Sequence, residues 1–353
     1  MDASSFVAAA EQQLVSLLDL DFCVFASVDP AAGLETSCDV FGIPADPSRE
    51  ERIFDLEWFS DDPLKYADLA RASIPAGALR LAANPRKVKR FVEFAEPNGV
   101  HDELRLACVS DGAWWGTFTG FRFEDKPAFA PADVARAASL SERLAKGFRR
   151  AFLYAAVQRP GDLDRPPGAF TIDQEGNFVA TTQAAEEWLD TLVEGQVSTL
   201  VSSLVVGVRR TGSRSVTVAG SAGPLTFHAL PLKGSEDEIS VIVEYPRPIR
   251  LTSLVIEAYG LTPREREVVE LVLKGLATRQ VAGDLEISEY TVQDHLKSVF
   301  AKTGTATRGE LLAALYTRFY LQPKADRRSP GPYWHFLSDQ VGVTWDPMAH
   351  DGS

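Results

Sequence analysis

The alternation of apolar and polar positions cuts the chain into segments of different period. FVAAAEQQLVSLLDL places Val7, Ala10, Leu14, Leu17 and Leu18 at helical spacing and predicts an opening helix. FCVFASVD and LETSCDVFG read as strands around the turn from Asp29 to Gly33. EERIFDLEWFSDDPLKYADLARA reads as helical, and ELRLACVSDGAWWGTFTGFRFE as a hairpin turning at Asp111-Gly112. One long helix, Pro131 to Gln158, closes this part, with Leu140, Leu144, Phe148 and Phe152 on one stripe.

RPGDLDRPPG (Arg159 to Gly168) has linker composition. Beyond it, AFTIDQEGNFVAT predicts a hairpin through Gly176-Asn177, and QAAEEWLDTL and QVSTLVSSLVVGVRR predict helices. SRSVTVAG, PLTFHALPL and EISVIVEY then form a meander, so this unit is an α+β module. YPRPIR is a second linker, and the segment after it shows no strand period. The expected architecture is multidomain α+β: units at 1–158 and 168–246, an all-α unit at 251–321, and a flexible tail at 322–353. The alternative for the tail is docking of Tyr333, Trp334, Phe336 and Trp345 on the body.

The all-α segment is punctuated by start and stop signals. Thr262-Pro263-Arg264-Glu265 combines a capping box with Pro at the first helical position, and Gly275 suits a left-handed C-terminal residue. Thr278 is read as capping a short second helix, and Ser288 as capping a third that ends at Gly304. Thr307-x-x-Glu310 opens a fourth. Four short helices with a tight turn between the second and third fit a helix-turn-helix. On the third helix Val292, Leu296 and Val299 share a core face, His295 lies at its edge, and Tyr290, Gln293, Asp294, Lys297 and Ala301 lie opposite. Gln, Lys and Asp can pair with adenine, guanine and the cytosine amino group in a major groove. Ser288, Thr291 and the helix N-terminus can hold a phosphate. Periodicity alone leaves a second reading equally open, a solvated face of a small bundle.

Charge does not decide between them. The chain carries −13 overall, which disfavours broad nucleic-acid affinity. Thr262 to Leu321 holds eight Lys or Arg against eight Asp or Glu. Cys23, Cys38 and Cys108 show no metal-ligand spacing and read as reduced thiols. No apolar run approaches the roughly 18 residues of a membrane helix, and the N-terminus lacks a positive n-region, so a cytoplasmic protein without a membrane partner is expected. No HExxH, GxSxG or GKS/T motif is present, which points away from an enzyme and from a bound cofactor. His228, alone in its strand, reads as structural rather than as a haem ligand.

YGLTPREREVVELVLKGLATRQVAGDLEISEYTVQDHLKSVFAKTGTATRGEL closely resembles the LuxR/GerE-type DNA-binding domain of bacterial transcription regulators. The resemblance implies a third helix in the major groove, with base contacts from Gln293, Asp294 and Lys297, and a TV-x-x-H core of Thr291, Val292 and His295. It implies further DNA contacts from Thr278, Arg279, Ser288, Tyr290, Lys302 and Arg308, and dimerisation through Leu312, Leu315, Tyr316 and Phe319. Gly283 and Asp294 depart from the family pattern. The first unit resembles a GAF-like sensor and the second a degenerate PAS-like domain, folds that wrap a sheet around a cavity. Phe41, Trp58, Phe59, Trp114, Trp115 and Phe118 are candidate lining residues for a small-molecule effector, with plain core packing as the alternative. The implied protein is a homodimeric regulator acting on a palindromic DNA operator, with RNA polymerase as a further partner. Two alternatives stand beside it: an acyl-homoserine-lactone-type regulator, suggested by WFSDDP, and an interaction module with a vestigial helix-turn-helix.

Overall fold

The computed structural model describes residues 3–42, 50–157, 165–193, 195–221, 223–234, 237–246 and 259–312. Linker residues 158–164 and 247–250, the tail, and Leu315, Tyr316 and Phe319 lie outside them. In the first unit α1 (Ala3–Leu18) leads into β1 (Phe22–Asp29) and β2 (Leu34–Phe41), followed by α2 (Glu50–Phe59), α3 (Tyr66–Leu69), β3 (Ala76–Ala78) and α4 (Leu79–Ala82). The hairpin is β4 (Val100–Ser110) and β5 (Ala113–Phe123), turned by Asp111 and Gly112 at φ of 53° and 77°. Both residues have the positive φ that a two-residue hairpin turn needs to match strand twist. These strands form a five-stranded antiparallel sheet in the order β2-β1-β5-β4-β3.

Two elements are shorter than their periodicity suggests. The helical middle is divided into α2 and α3 by the stretch 60–65, where the buried Asp62 carboxylate accepts the Leu64 N–H at 2.9 Å. The long closing helix is divided into α5 (Pro131–Ala138) and α6 (Ser141–Val157). The break is tertiary in origin: Ser141 Oγ donates to the Ala107 carbonyl at 2.7 Å and accepts the Val109 N–H at 3.0 Å, so the helix restarts pinned to β4.

Strand alternation gives the sheet two unlike faces. Leu104, Leu106, Cys108 and Phe118 meet α1 and α6 through Val7, Leu14, Leu18, Leu144 and Phe148. The other face packs Ala107 and Phe121 with Phe22, Tyr66 and Phe91, and it also buries charge. Glu103 accepts Arg105 Nε at 2.7 Å and the Arg90 guanidinium; Arg90 Nε reaches Asp62 at 2.9 Å, and Arg105 Nη1 reaches Glu57 at 2.5 Å. Burial alone would raise the Glu103 carboxyl pKa, but Arg90 and Arg105 hold it below its usual value.

The second unit comprises β6 (Gly168–Asp173), β7 (Phe178–Thr181), α7 (Gln183–Leu189), α8 (Gln196–Thr211), β8 (Arg214–Gly220), β9 (Gly223–Pro231) and β10 (Glu238–Glu244). Its sheet runs β7-β6-β10-β9-β8, so its five strands repeat the connectivity of the first sheet. Helix α8 is buried over most of its length because both sides are covered. Leu200, Leu204 and Val208 face this sheet, while Ser203 Oγ donates to the Glu35 carbonyl of β2 at 2.7 Å. The Asp29 carboxylate ties the seam further, accepting the N–H groups of Ala31, Ala32 and Thr217 at 2.8, 3.2 and 2.8 Å.

The six aromatic residues expected around one pocket are not brought together. Phe41, Trp115 and Phe118 belong to the α6 face, Trp114 to the opposite face, and Trp58 to the core of the second unit. Phe59 is 48% exposed, with the Arg209 guanidinium 4.9 Å above its ring. Alternation separates neighbours on a strand, and α2 directs Trp58 toward α8 rather than into its own unit.

Replacing Glu103 with Gln leaves Arg90 and Arg105 short of charge compensation in the interior. A loss of about 3–5 kcal/mol is expected, read as a lower urea midpoint for the first unit.

Candidate nucleic-acid interface

The C-terminal unit comprises α9 (Pro263–Leu273), α10 (Thr278–Asp284), α11 (Glu289–Thr303) and a last helix that begins at 308. The capping box is complete: Thr262 Oγ1 accepts the Glu265 N–H at 3.3 Å, and Glu265 accepts the Thr262 N–H at 2.7 Å. At α10 the capping position belongs to Ala277, not Thr278. Ala277 has the extended backbone a cap requires, and Gln280 Oε1 accepts its N–H at 2.8 Å in place of a hydroxyl cap. The turn into α11 passes through Glu286 at φ 54°. Ser288 Oγ then accepts the Thr291 N–H at 3.0 Å, and Gly304, at φ 68°, ends the helix. At the last helix Thr307 Oγ1 caps the Glu310 N–H at 3.1 Å, whereas the Glu310 carboxylate returns to Ala306 rather than to Thr307.

Val292, Leu296 and Val299 bury one side of α11 against Val268, Val269, Val272 and Val281. The opposite side is in solvent. Ser288, Gln293, Asp294 and Lys297 are exposed, and Tyr290 is 69% exposed. Asp294 and Lys297 form an ion pair at 3.1 Å, and the Lys297 ammonium stands 5.8 Å from the Tyr290 ring. A pair this exposed adds little stability. Its consequence is electrostatic: a cation and an anion one helical turn apart present donor and acceptor together to whatever meets the face. Arg279 is exposed, while Thr278, Thr291 and His295 are half-buried at the margin.

Two further candidates have structural partners. Lys302 Nζ donates to Glu265 at 2.7 Å, and the Arg308 guanidinium donates to the Leu276 carbonyl. Leu312 is half-buried against the core of this unit. Glu265 does more than cap α9. Besides its cap it accepts Ser298 Oγ at 2.6 Å and Lys302, joining the start of α9 to the end of α11. The box was visible as T-x-x-E, but partners 33 and 37 residues away leave no local signal. Burial would raise this carboxyl, yet hydrogen bonds from Lys302, Ser298 and the Thr262 N–H outweigh it and bring it down to about 2.

A capped helix-turn-helix with a polar, exposed third helix is the geometry of a DNA-reading module. Residues 260–314 match the family described as bacterial regulatory proteins, luxR family. The spore germination protein GerE of Bacillus subtilis is 40% identical over 55 residues, which take in 16% of this chain and 74% of GerE. The chain belongs to the LuxR family. A putative HTH-type transcriptional regulator of Mycobacterium bovis is 50% identical over 53 residues, 15% of this chain, and the chain spans 6% of that relative's length. Among solved structures, Escherichia coli SdiA overlaps 90% of this chain and 91% of its own, at 11% identity and a TM-score of 0.30.

Because the folded value of Glu265 is depressed from 4.5, its stabilisation is complete above that pH and is lost as pH falls toward 2. Glu265→Gln should remove about 2–3 kcal/mol from α9 and α11 at neutral pH. Amide hydrogen exchange of the full chain, corrected for its intrinsic pH dependence, reads this as faster exchange in both helices and a flatter profile between pH 5 and 2.

Proposed function

We propose that this protein is a cytoplasmic, homodimeric, sequence-specific transcriptional regulator that acts by binding rather than catalysis. Its DNA-reading unit occupies 251–321, a GAF-like unit 1–158 and a PAS-like unit 168–246. The observation that carries the reading is α11, whose buried Val292, Leu296 and Val299 hold Tyr290, Gln293, Asp294 and Lys297 outward as one polar face. The common strand order of the two sheets supports treating the units as related sensor modules that answer a small-molecule effector.

In this reading Ser288, Thr291 and the α11 N-terminus hold a phosphate, with Thr278, Arg279, Lys302 and Arg308 contributing at the margin. Gln293, Asp294, Lys297 and Tyr290 face base edges, and His295 steadies the helix. Asp294 neutralises Lys297 in the free protein and repels phosphates, so it lowers general affinity and favours sites that offer a donor. The −13 charge sharpens that discrimination. Dimerisation through Leu312, Leu315, Tyr316 and Phe319 pairs two recognition helices about one turn of DNA apart on a palindromic operator. RNA polymerase is the further partner expected of a regulator that activates.

Selection of bound sequences from random DNA by the full chain, followed by titration at several salt concentrations, tests this. A palindromic consensus with a steep salt dependence is expected. Gln293→Ala and Lys297→Ala should each weaken consensus binding by about 1–3 kcal/mol. Asp294→Ala should tighten binding to random DNA while narrowing the margin for the consensus. Equal affinity for selected and random DNA would refute the regulator reading.

A further inference from the structure

The outward face of the second sheet carries a serine, a histidine and a glutamate in one row. On β8, β9 and β10, Val216, Phe227, Ala229, Val241 and Val243 enter the core. Alternation then turns Ser215, His228, Leu230, Ile242 and Glu244 to the other side. His228 is the register partner of Ser215 on β8 and of Ile242 on β10. Ser215 Oγ lies 2.8 Å from His228 Nδ1, and His228 Nε2 lies 3.3 Å from Glu244 Oε1. The imidazole thus has a hydroxyl at one nitrogen and a carboxylate at the other.

That order fixes where the protons sit. An ionised carboxylate only accepts, so Glu244 holds the proton of the neutral imidazole on Nε2. Nδ1 is left as an acceptor, and the Ser215 hydroxyl donates to it. This is the hydroxyl–imidazole–carboxylate relay that activates a serine, with the two ring nitrogens exchanged, and such a relay is defined by the role of each group. The His228 and Glu244 side chains are about a quarter exposed, so a reactant reaches them from solvent.

A polar row across three strands also ties them together. Two neighbouring features go beyond that role. Ile242 and Leu230, 40% and 47% exposed, flank His228 on the same face and offer an apolar floor. Strand β8 is the edge of its sheet, and the Thr217 N–H leaves that edge to reach Asp29 Oδ2 at 2.8 Å. Backbone donors on a strand point the same way at every second residue, so the Ser215 N–H leaves the same edge.

We infer that Ser215, His228 and Glu244 form an acyl-transfer site, at which Ser215 takes a short aliphatic acyl group from an activated ester. Ser215 Oγ bonds to the acyl carbon and passes its proton to His228 Nδ1, while Glu244 balances the imidazolium. The bond from the acyl carbon to the leaving oxygen then breaks, and its electron pair departs with that oxygen. His228 returns the proton to the leaving group or to solvent and is neutral again. The Ser215 N–H is the backbone donor for the charge that develops on the carbonyl oxygen. The aliphatic chain lies on Ile242 and Leu230. The product is an ester on Ser215, a covalent modification of the chain that is independent of DNA binding.

The full chain treated with p-nitrophenyl butyrate tests this. Stoichiometric release of p-nitrophenolate is expected, and fragmentation of the labelled peptide should place the butyryl group on Ser215. Ser213, exposed two residues earlier, should stay unlabelled. His228→Gln, which keeps a hydrogen-bonding side chain but no base, should slow the labelling about 100-fold. Glu244→Gln should slow it by a smaller factor, and Ile242→Ser should bring the butyrate rate down toward that of p-nitrophenyl acetate. Label divided evenly between Ser213 and Ser215, or carried by lysines alone, would overturn the site. Undiminished labelling in His228→Gln, with a circular dichroism spectrum like the parent's, would overturn the relay. Should that variant not fold, the position of the label in the parent decides: butyryl confined to Ser215 supports the site, and any other distribution refutes it.

Discussion

One helix has to satisfy three cores at once, and the arrangement of the molecule follows from that. Helix α6 closes the inner face of the first sheet with Leu144, Ala145 and Phe148, lines the inter-unit seam with Ala151 and Phe152, and gives Leu153 to the C-terminal unit. Its start is fixed by Ser141, whose hydroxyl replaces a strand partner on β4. Because it begins at a fixed point and is packed on several sides, it cannot shift against one neighbour without disturbing the others.

The two sheet units differ in how they use a common connectivity. The first fills the face away from α6 with an ion network of Arg90, Arg105, Glu57, Asp62 and Glu103, which holds the segment around α2 and α3 on the sheet. Such a network is specific in geometry but contributes little net stability, since desolvation offsets most of the attraction. The second unit has an apolar core and lends α8 to the seam, where Ser203, Arg214 and the Thr217 N–H reach β1, β2 and their turn. The inter-unit contact thus joins apolar packing of Ala32, Leu34 and Trp58 on the second unit's core with hydrogen bonds to backbone atoms, which set a register that apolar contact alone would not.

The C-terminal unit shows how far local signals reach. Its caps, its glycine stops and the outward polar face of α11 were legible residue by residue, because capping and helical period act within a few positions. The cap of α10 falls at Ala277, one residue before the expected Thr278, since a glutamine three positions on can stabilise a helix start that has no capping hydroxyl. The partners of Lys302 and Arg308 lie far away in the chain, so their structural engagements could not be seen there.

The sequence by itself determined most of the strands and helices, though not β3 or α4, the hairpin turns at Asp29 to Gly33, Asp111-Gly112 and Gly176-Asn177, and the family of the C-terminal unit, because period, turn residues and motif spacing are local properties. It could not place the aromatic residues. Trp114 and Trp115 are adjacent yet serve different cores, and a bulge decides which of them meets α6. Nor could it show that the carboxylates and guanidiniums of the first unit would be buried together, or that a helix predicted as one would break at Ser141. Those outcomes depend on which strand lies beside which, and only the folded chain brings such positions into contact.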